Sequence, residues 1–480
     1  MKLSRAFTSL LIVLLTCASV AFSQTWQPLQ HQPTFNASTS LLLTDGTVMV
    51  HQEGGLQWWK LSPDINGSYV NGTWKQQASL PSNYSPLYYA SAVLPDGRLI
   101  VEGGEYNFGS PVWTNLGAIY DPLVNKWTAV NPPIGWANIG DGQSVILLNG
   151  TFMLANAVSS QEALLDAATL TWTSTGTGKA DGNDEEGWTL LPNGLVLTVD
   201  ANSNNTHAER YSPRLGKWAS AGSTIVQLAD PGSHELGPAV LRPNGTVFAT
   251  GATGHNAIYT PSPIGGVGTW VAGPDFPKAN GQQLDIADGP AALLPNGNVL
   301  CDTSPGVYQN GVHFFEFDGT QFITEPGTPD ANQNTSYEGR MLILPTGQIF
   351  FADGTKDIEI YTPIGNPDPA WAPTIHSFPS QISPGGSYTL TGTQLNGLSE
   401  GAAYGDDAQA ATNYPLVRIT NRASGHVFFA RTHDHSSMSV APGKRGSTHF
   451  DVPINIETGA SDLAVVTNGI ASTAVSVTVQ

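Results

Sequence analysis

An all-β fold is predicted by three features of the sequence: a sevenfold repeat, an aromatic residue closing each repeat, and a composition rich in turn formers. Only 12% of the 480 residues are charged, against 52 glycines and 34 prolines. That balance suits many short strands joined by tight turns.

The repeat is read from its turns. Apolar residues, an Asx-Gly or Thr-Gly pair and apolar residues again recur as LLLTDGTVMV, AVLPDGRLIV, VILLNGTFML, TLLPNGLVLT, AVLRPNGTVFAT, ALLPNGNVLC and LILPTGQIFF. The turn glycines Gly46, Gly97, Gly150, Gly194, Gly245, Gly297 and Gly347 stand 51, 53, 44, 51, 52 and 50 residues apart. Glycine supplies the positive φ of a two-residue hairpin turn. A second turn follows in each repeat and ends on Trp74, Trp127, Trp172, Trp218, Trp270, Phe322 or Trp371. Two hairpins make a four-stranded blade whose closing aromatic fills the wedge to the next blade. Repeats near 50 residues of this kind predict a seven-bladed kelch-type β-propeller over residues 24–373.

The texture changes after Trp371. APTIHSFPSQISPGGSYTLTGTQL alternates without the blade signature, and the chain ends on the strand-like DLAVVTNGIASTAVSVTVQ. Residues 374–480 are expected to form an immunoglobulin-like (early-set) β-sandwich.

At the other end, Lys2 and Arg5 precede the apolar LLIVLL and the small residues up to Ser23. This is the pattern of a secretory signal peptide, residues 1–23, cleaved near Ser23-Gln24. Its apolar run is too short to span a bilayer. Thr16 before Cys17 argues against lipidation. A secreted protein, extracellular or periplasmic, is expected. Cys301 alone then remains, so no intrachain disulfide forms and a large core must supply the stability. The net charge of -19 becomes -21 when the two leader cations are lost. Such a surface excludes nucleic acid and anionic membranes as partners. No phosphate loop or nucleophile elbow is present, which excludes a nucleotide cofactor and a serine hydrolase.

In a propeller the start of each inner strand rings one mouth of the axis. Counting back about nine residues from each turn glycine reaches Tyr88, Asp141, Glu185 with Glu186, Glu235, Asp288 and Glu338. Converging carboxylates raise one another's pKa unless a cation or amide donors offset the repulsion. Two readings stay open: acids that bond strand amides and water, or a site for a divalent cation or polyol hydroxyls. Tyr84, Tyr88, Tyr89, Tyr106, Phe108 and Trp113 add flat faces for a glycan. His207, His234 and His255 could line the same mouth. A further polar cluster, ARTHDHSSM over Ala430–Met438, places His433 and His435 two apart, on one side if they lie on a strand.

The order of leader, seven kelch blades and C-terminal sandwich resembles secreted copper radical oxidases of the galactose oxidase and glyoxal oxidase kind. The resemblance implies that a sandwich loop carries a ligand histidine into the axis, which assigns that role to His433 in RTHDHSS. It implies an axial tyrosine at Tyr337 in SYEGRMLILPTG and a radical tyrosine at Tyr88 in YYASAVLPDG. Tyr106 in VEGGEYNFG takes the place of the aromatic stacked on the latter. His435 would lie beside His433 or bond the sandwich backbone. Two positions depart from the family. Glu338 stands where a second histidine is expected, and Asn36 in PTFNASTSLLL stands where the crosslinking cysteine is expected. A carboxylate in place of an imidazole shifts the preference from copper toward Ca²⁺ or Mn²⁺. The expected function is therefore extracellular glycan, polyol or cation binding at the axial mouth, with Glu338 and His433 among the metal ligands. The alternative is a divergent oxidase of alcohols, aldehydes or sugars that forms hydrogen peroxide, with copper as cofactor and Tyr337 and Tyr88 as its catalytic residues.

Overall fold

The computed structural model describes residues 25–203, 205–404 and 408–480. The leader and its cleavage position lie outside the described residues. No helix among those described is long and apolar enough to cross a membrane.

Seven four-stranded antiparallel units occur among the described residues, six of them as separate sheets. We number them one to seven by their first strands: Ala37–Leu42, Ala90–Val93, Ser144–Ile146, Thr189–Leu190, Ala239–Leu241, Pro290–Leu293 and Arg340–Ile343. Each first strand touches the next, and the seventh touches the first, so these strands close a ring. The remaining strands of each sheet run outward, in the order of a β-propeller.

All seven predicted turn glycines join a first strand to a second, with φ between 76 and 88°. The loop is one residue longer than expected. Leu43 N–H bonds the Thr47 carbonyl at 2.8 Å and Gly46 N–H returns to the Leu43 carbonyl at 3.0 Å, leaving three residues in the loop. This is a type I turn followed by a left-handed glycine, whose bulge matches the strand twist. The Asx before glycine braces the same turn from its side chain, since Asp45 Oδ1 accepts the Thr47 N–H at 3.0 Å.

The closing aromatics occupy the fourth strands, with Trp127 opposite Tyr120, Trp218 opposite Tyr211 and Trp270 opposite Tyr259. Sheet seven corrects the expectation for Trp371, which sits in the short 3-10 turn Pro369–Trp371. Its fourth strand is Thr25–Pro28 from the opposite end of the chain, with Trp26 opposite Tyr361. Trp26 packs between Phe314 at 4.7 Å, Tyr361 at 5.0 Å and Phe351 at 5.3 Å. Both ends of the repeat array are thereby locked into one sheet, so the ring has no free edge to fray.

The strands from Thr374–Ser377 onward build a second β-unit with its own core, including Leu390, Val417, Ile419, Phe450, Leu463 and Val465. It sends the hairpin Gly401–Tyr404 and Ala408–Ala411 into the ring, where Gly401–Tyr404 pairs with the first strand of sheet six. The strand approaches sheet seven closely at Gly401, where a Cβ would lie 2.8 Å from Ile343 Cδ1. Gln409 holds the hairpin by accepting the Ser144 hydroxyl at 2.8 Å, and Glu400 accepts the Leu190 N–H at 2.7 Å.

This hairpin, and not RTHDHSS, enters the axis. The RTHDHSS segment docks on the turn ends of the sheets: Thr432 N–H bonds the Thr44 carbonyl at 3.1 Å, and His435 N–H bonds the Pro95 carbonyl at 3.2 Å. Tyr88 and Pro95 lie at opposite ends of one strand, about 20 Å apart for an extended segment of that length. His433 is thus at the wrong end of the ring to meet Tyr88. Asp434, at φ 52°, also breaks the alternation, so His433 and His435 do not share a side. His435 is buried against Tyr414 with Nδ1 at 2.9 Å from Thr448 Oγ1, and burial lowers its pKa to about 3.

Candidate functional site

At the end of the ring where the first strands begin, a cavity of about 420 Å³ is lined by five carboxylates and five tyrosines. The acids are Glu105, Asp141, Glu185, Glu235 and Asp288, and the phenols are Tyr88, Tyr106, Tyr308, Tyr337 and Tyr404.

The local backbone explains how these side chains converge. Tyr88, Glu185 and Asp288, each nine residues before a turn glycine, hold left-handed φ values of 52, 58 and 46°. A non-glycine residue there costs on the order of 1–3 kcal/mol, so the surrounding structure must enforce it. Tyr106 reaches the cavity because its strand Tyr106–Asn107 pairs with Pro86–Leu87, which sets its ring 6.1 Å from that of Tyr88. Tyr404 is the last described residue of the inserted strand, and its hydroxyl donates to the Tyr337 carbonyl oxygen. Arg340 fixes the same corner. Its guanidinium donates to the Tyr337 carbonyl at 2.8 Å and lies 3.9 Å from the Tyr404 ring centroid and 5.7 Å from that of Tyr88.

Of the residues expected at the mouth, Tyr88, Tyr106, Asp141, Glu185, Glu235, Asp288 and Tyr337 are brought together. Glu338, His433 and His435 are not in the lining. Glu338 faces its own turn, with Oε2 accepting the Thr335 N–H at 2.9 Å. Glu186 points to the opposite side of its strand entry, to Lys179 at 2.8 Å. His207 and His255 are taken up by Asp200 at 2.6 Å and Asp275 at 2.8 Å. Glu105, Tyr308 and Tyr404 were missed. Glu105 directly follows the Gly-Gly of sheet two and was legible beside Tyr106, whereas Tyr308 and Tyr404 carry no repeat signal.

The electrostatics are those of crowded, partly dehydrated acids. Burial, reinforced by Glu105, pushes the Asp141 carboxyl up to about 7. Burial also raises Glu105, with Glu235 and Asp184 adding to the effect. Glu105 in turn raises the Tyr106 phenol. Tyr308 is raised by burial and by Glu235, whose Oε1 accepts its hydroxyl. One oxygen each of Glu185, Glu235 and Asp288 lies within 4.8 Å of the others. Ca²⁺ binds oxygens at about 2.3–2.6 Å, so opposed ligands of one ion stand about 5 Å apart. Glu235 Oε2 and Asp141 Oδ1 are buried without a hydrogen-bond partner. An unpartnered buried carboxylate oxygen is costly, and a proton, a cation or a ligand hydroxyl relieves it.

Copper fits this donor set poorly. Among the described residues the lining offers phenol and carboxylate oxygens but no imidazole or thiolate, the donors that suit copper. Asn36, where the resemblance expects the crosslinking cysteine, is exposed, and Cys301 is sealed in the core between sheets, outside the lining.

No protein-family model and no curated protein matches the sequence. Among solved structures, a fungal alcohol oxidase of the AA5 family, in complex with copper, is similar at a TM-score of 0.55 and 14% identity. The match covers 95% of this chain and 99% of that one. A catalytically inactive virginiamycin B lyase from Staphylococcus aureus, with quinupristin, is similar at 0.51 and 8% identity over 71% of this chain and 100% of that one. The chain therefore shares its overall fold with that alcohol oxidase, with a β-propeller as its larger part.

Proposed function

We propose that this is an exported seven-bladed kelch propeller with an immunoglobulin-like C-terminal domain, and that its axial cavity binds a hard divalent cation together with the hydroxyls of a polyol or glycan. The observation that carries the reading is the convergence of five carboxylates on one cavity, two of them with an unpartnered buried oxygen. Glu185, Glu235 and Asp288 hold Ca²⁺ or Mn²⁺, while Asp141 and Glu105 accept ligand hydroxyls. The tyrosines supply flat faces of the kind sugar rings pack against. A signal peptide over residues 1–23 would deliver the protein to the extracellular or periplasmic space, where Ca²⁺ is abundant enough for a modest site.

A ligand that binds the folded state alone stabilises it by about 2.7 kcal/mol at a hundredfold excess over Kd. Ca²⁺ or Mn²⁺ is therefore expected to raise the melting temperature of chelator-treated protein. Glu235→Gln is expected to remove that shift. Unchanged melting with every cation would defeat the cation reading.

The second reading is a divergent copper oxidase of alcohols or aldehydes. It is supported by the similar fungal enzyme and by the presence of Tyr88 and Tyr337 in the same cavity. Stoichiometric copper in protein purified from its native export route, with peroxide formed from small alcohols, would establish it over the binding reading.

A further inference from the structure

The histidines that leave the axis form a cluster of their own. His433 ends the strand Val427–His433 and lies directly opposite His449 on Arg445–Asp451. Facing residues on adjacent antiparallel strands hold their Cβ atoms about 5 Å apart, on one side of the sheet. The two rings accordingly stand 5.5 Å apart. Asp434 Oδ2 lies 2.8 Å from His433 Nδ1 and 3.5 Å from His449 Nδ1. One donor atom from each of the three residues falls within 4.8 Å of the others.

We propose that His433, His449 and Asp434 form a binding site for a divalent transition metal of the Zn²⁺ class, separate from the axial cavity. Bonds of about 2.0–2.1 Å in tetrahedral geometry place ligand atoms about 3.3 Å apart. The two measured separations bracket that value. The second argument is independent of spacing. His433 Nε2 lies 3.3 Å from Asp451 Oδ1, and Asp451 Oδ2 is itself held by Arg431 at 3.2 Å. A histidine ligand whose other nitrogen donates to an anchored carboxylate is the usual outer-shell arrangement of metal sites. His433 Nδ1 and Asp434 Oδ2 are hydrogen-bonded at 2.8 Å. A metal that takes Nδ1 replaces that bond and leaves Nε2–H to donate to Asp451.

The donor set differs from the axial one in kind. Two imidazoles and one carboxylate suit Zn²⁺ or Cu²⁺, whereas the all-oxygen mouth suits Ca²⁺ or Mn²⁺. His449 and Asp434 are half exposed, so a metal reaches the site without opening the fold and water takes the fourth position.

Titration calorimetry of chelator-stripped full chain with Zn²⁺, paired with the visible absorption of Co²⁺-loaded protein, tests the site. One saturable Zn²⁺ site and the intense absorption of tetrahedral Co²⁺ are expected in the wild type and in Glu235→Gln. In His449→Ala, a half-exposed position outside the apolar core, the affinity should fall at least tenfold and the tetrahedral band should vanish. His433→Ala should do the same. No Zn²⁺ site in the wild type would overturn the proposal. So would a site unchanged in His449→Ala, or one lost in Glu235→Gln, which would assign it to the axis.

Discussion

Lys179→Met is expected to destabilise the protein by about 3–5 kcal/mol, the cost of stranding buried charges. Lys179 Nζ lies 2.8 Å from Glu186 and 3.2 Å from Glu209, and the three side chains are 0, 0 and 2% exposed. Burial alone would lower the Lys179 pKa, but the two carboxylates overcome it and hold the ammonium above its usual value. The ammonium also sits 5.2 Å from the Trp218 ring centroid, the closing aromatic of sheet four. Methionine fills the same volume and supplies no charge, leaving two buried acids without their cation, one of which, Glu186, burial already pushes up to about 8 despite Lys179. Denaturant unfolding should show the loss. The double variant Lys179→Met, Glu186→Gln should recover part of it, because one stranded charge is gone. Equal stability of wild type and single variant would mean the cluster is already neutral.

The second large effect concerns pH and the axial mouth. The Asp141 carboxyl is raised from 3.8 to about 7, chiefly by burial and then by Glu105. Between those values the folded protein holds a proton that the unfolded chain releases. Stability therefore falls as pH rises from about 4 to about 7, and the deficit is complete above 7. About three pH units at 1.36 kcal/mol each set an upper bound of about 4 kcal/mol. Asp141→Asn removes the titration, so the variant should be more stable than the wild type above pH 7 and similar to it below pH 4. Melting curves across that range check this. Superimposable pH profiles would show that Asp141 is not the group under strain.

Sequence and structure agree most closely where one residue type alone meets the geometry. The seven turn glycines all take positive φ, which other residues adopt only at a cost, so their spacing was readable directly. Counting back from them reached most of the cavity because strand length fixes where a first strand begins. Pairing between distant segments left no such trace. Thr25–Pro28 joins sheet seven across more than 300 residues, and nothing local to Trp26 marks its partner. The inserted hairpin carries no repeat signal, and its alanines resemble loop composition. RTHDHSS drew attention by its ligands, yet its backbone is committed to the turns of sheets one and two. Chemistry-bearing residues were visible, but their side of the ring depended on which loop the second domain sends inward.

The central claim is an axial site for a hard cation among tyrosines, and terbium titration tests it most directly. Tb³⁺ substitutes for Ca²⁺ at oxygen sites, and its emission is sensitised when an excited aromatic ring lies close by. With five phenols around Glu185, Glu235 and Asp288, aromatic excitation should give saturable one-to-one Tb³⁺ emission. Added Ca²⁺ should displace it, Glu235→Gln should abolish it, and His449→Ala should leave it unchanged. Absence of saturable emission, or emission of equal strength and affinity in Glu235→Gln, would contradict the account.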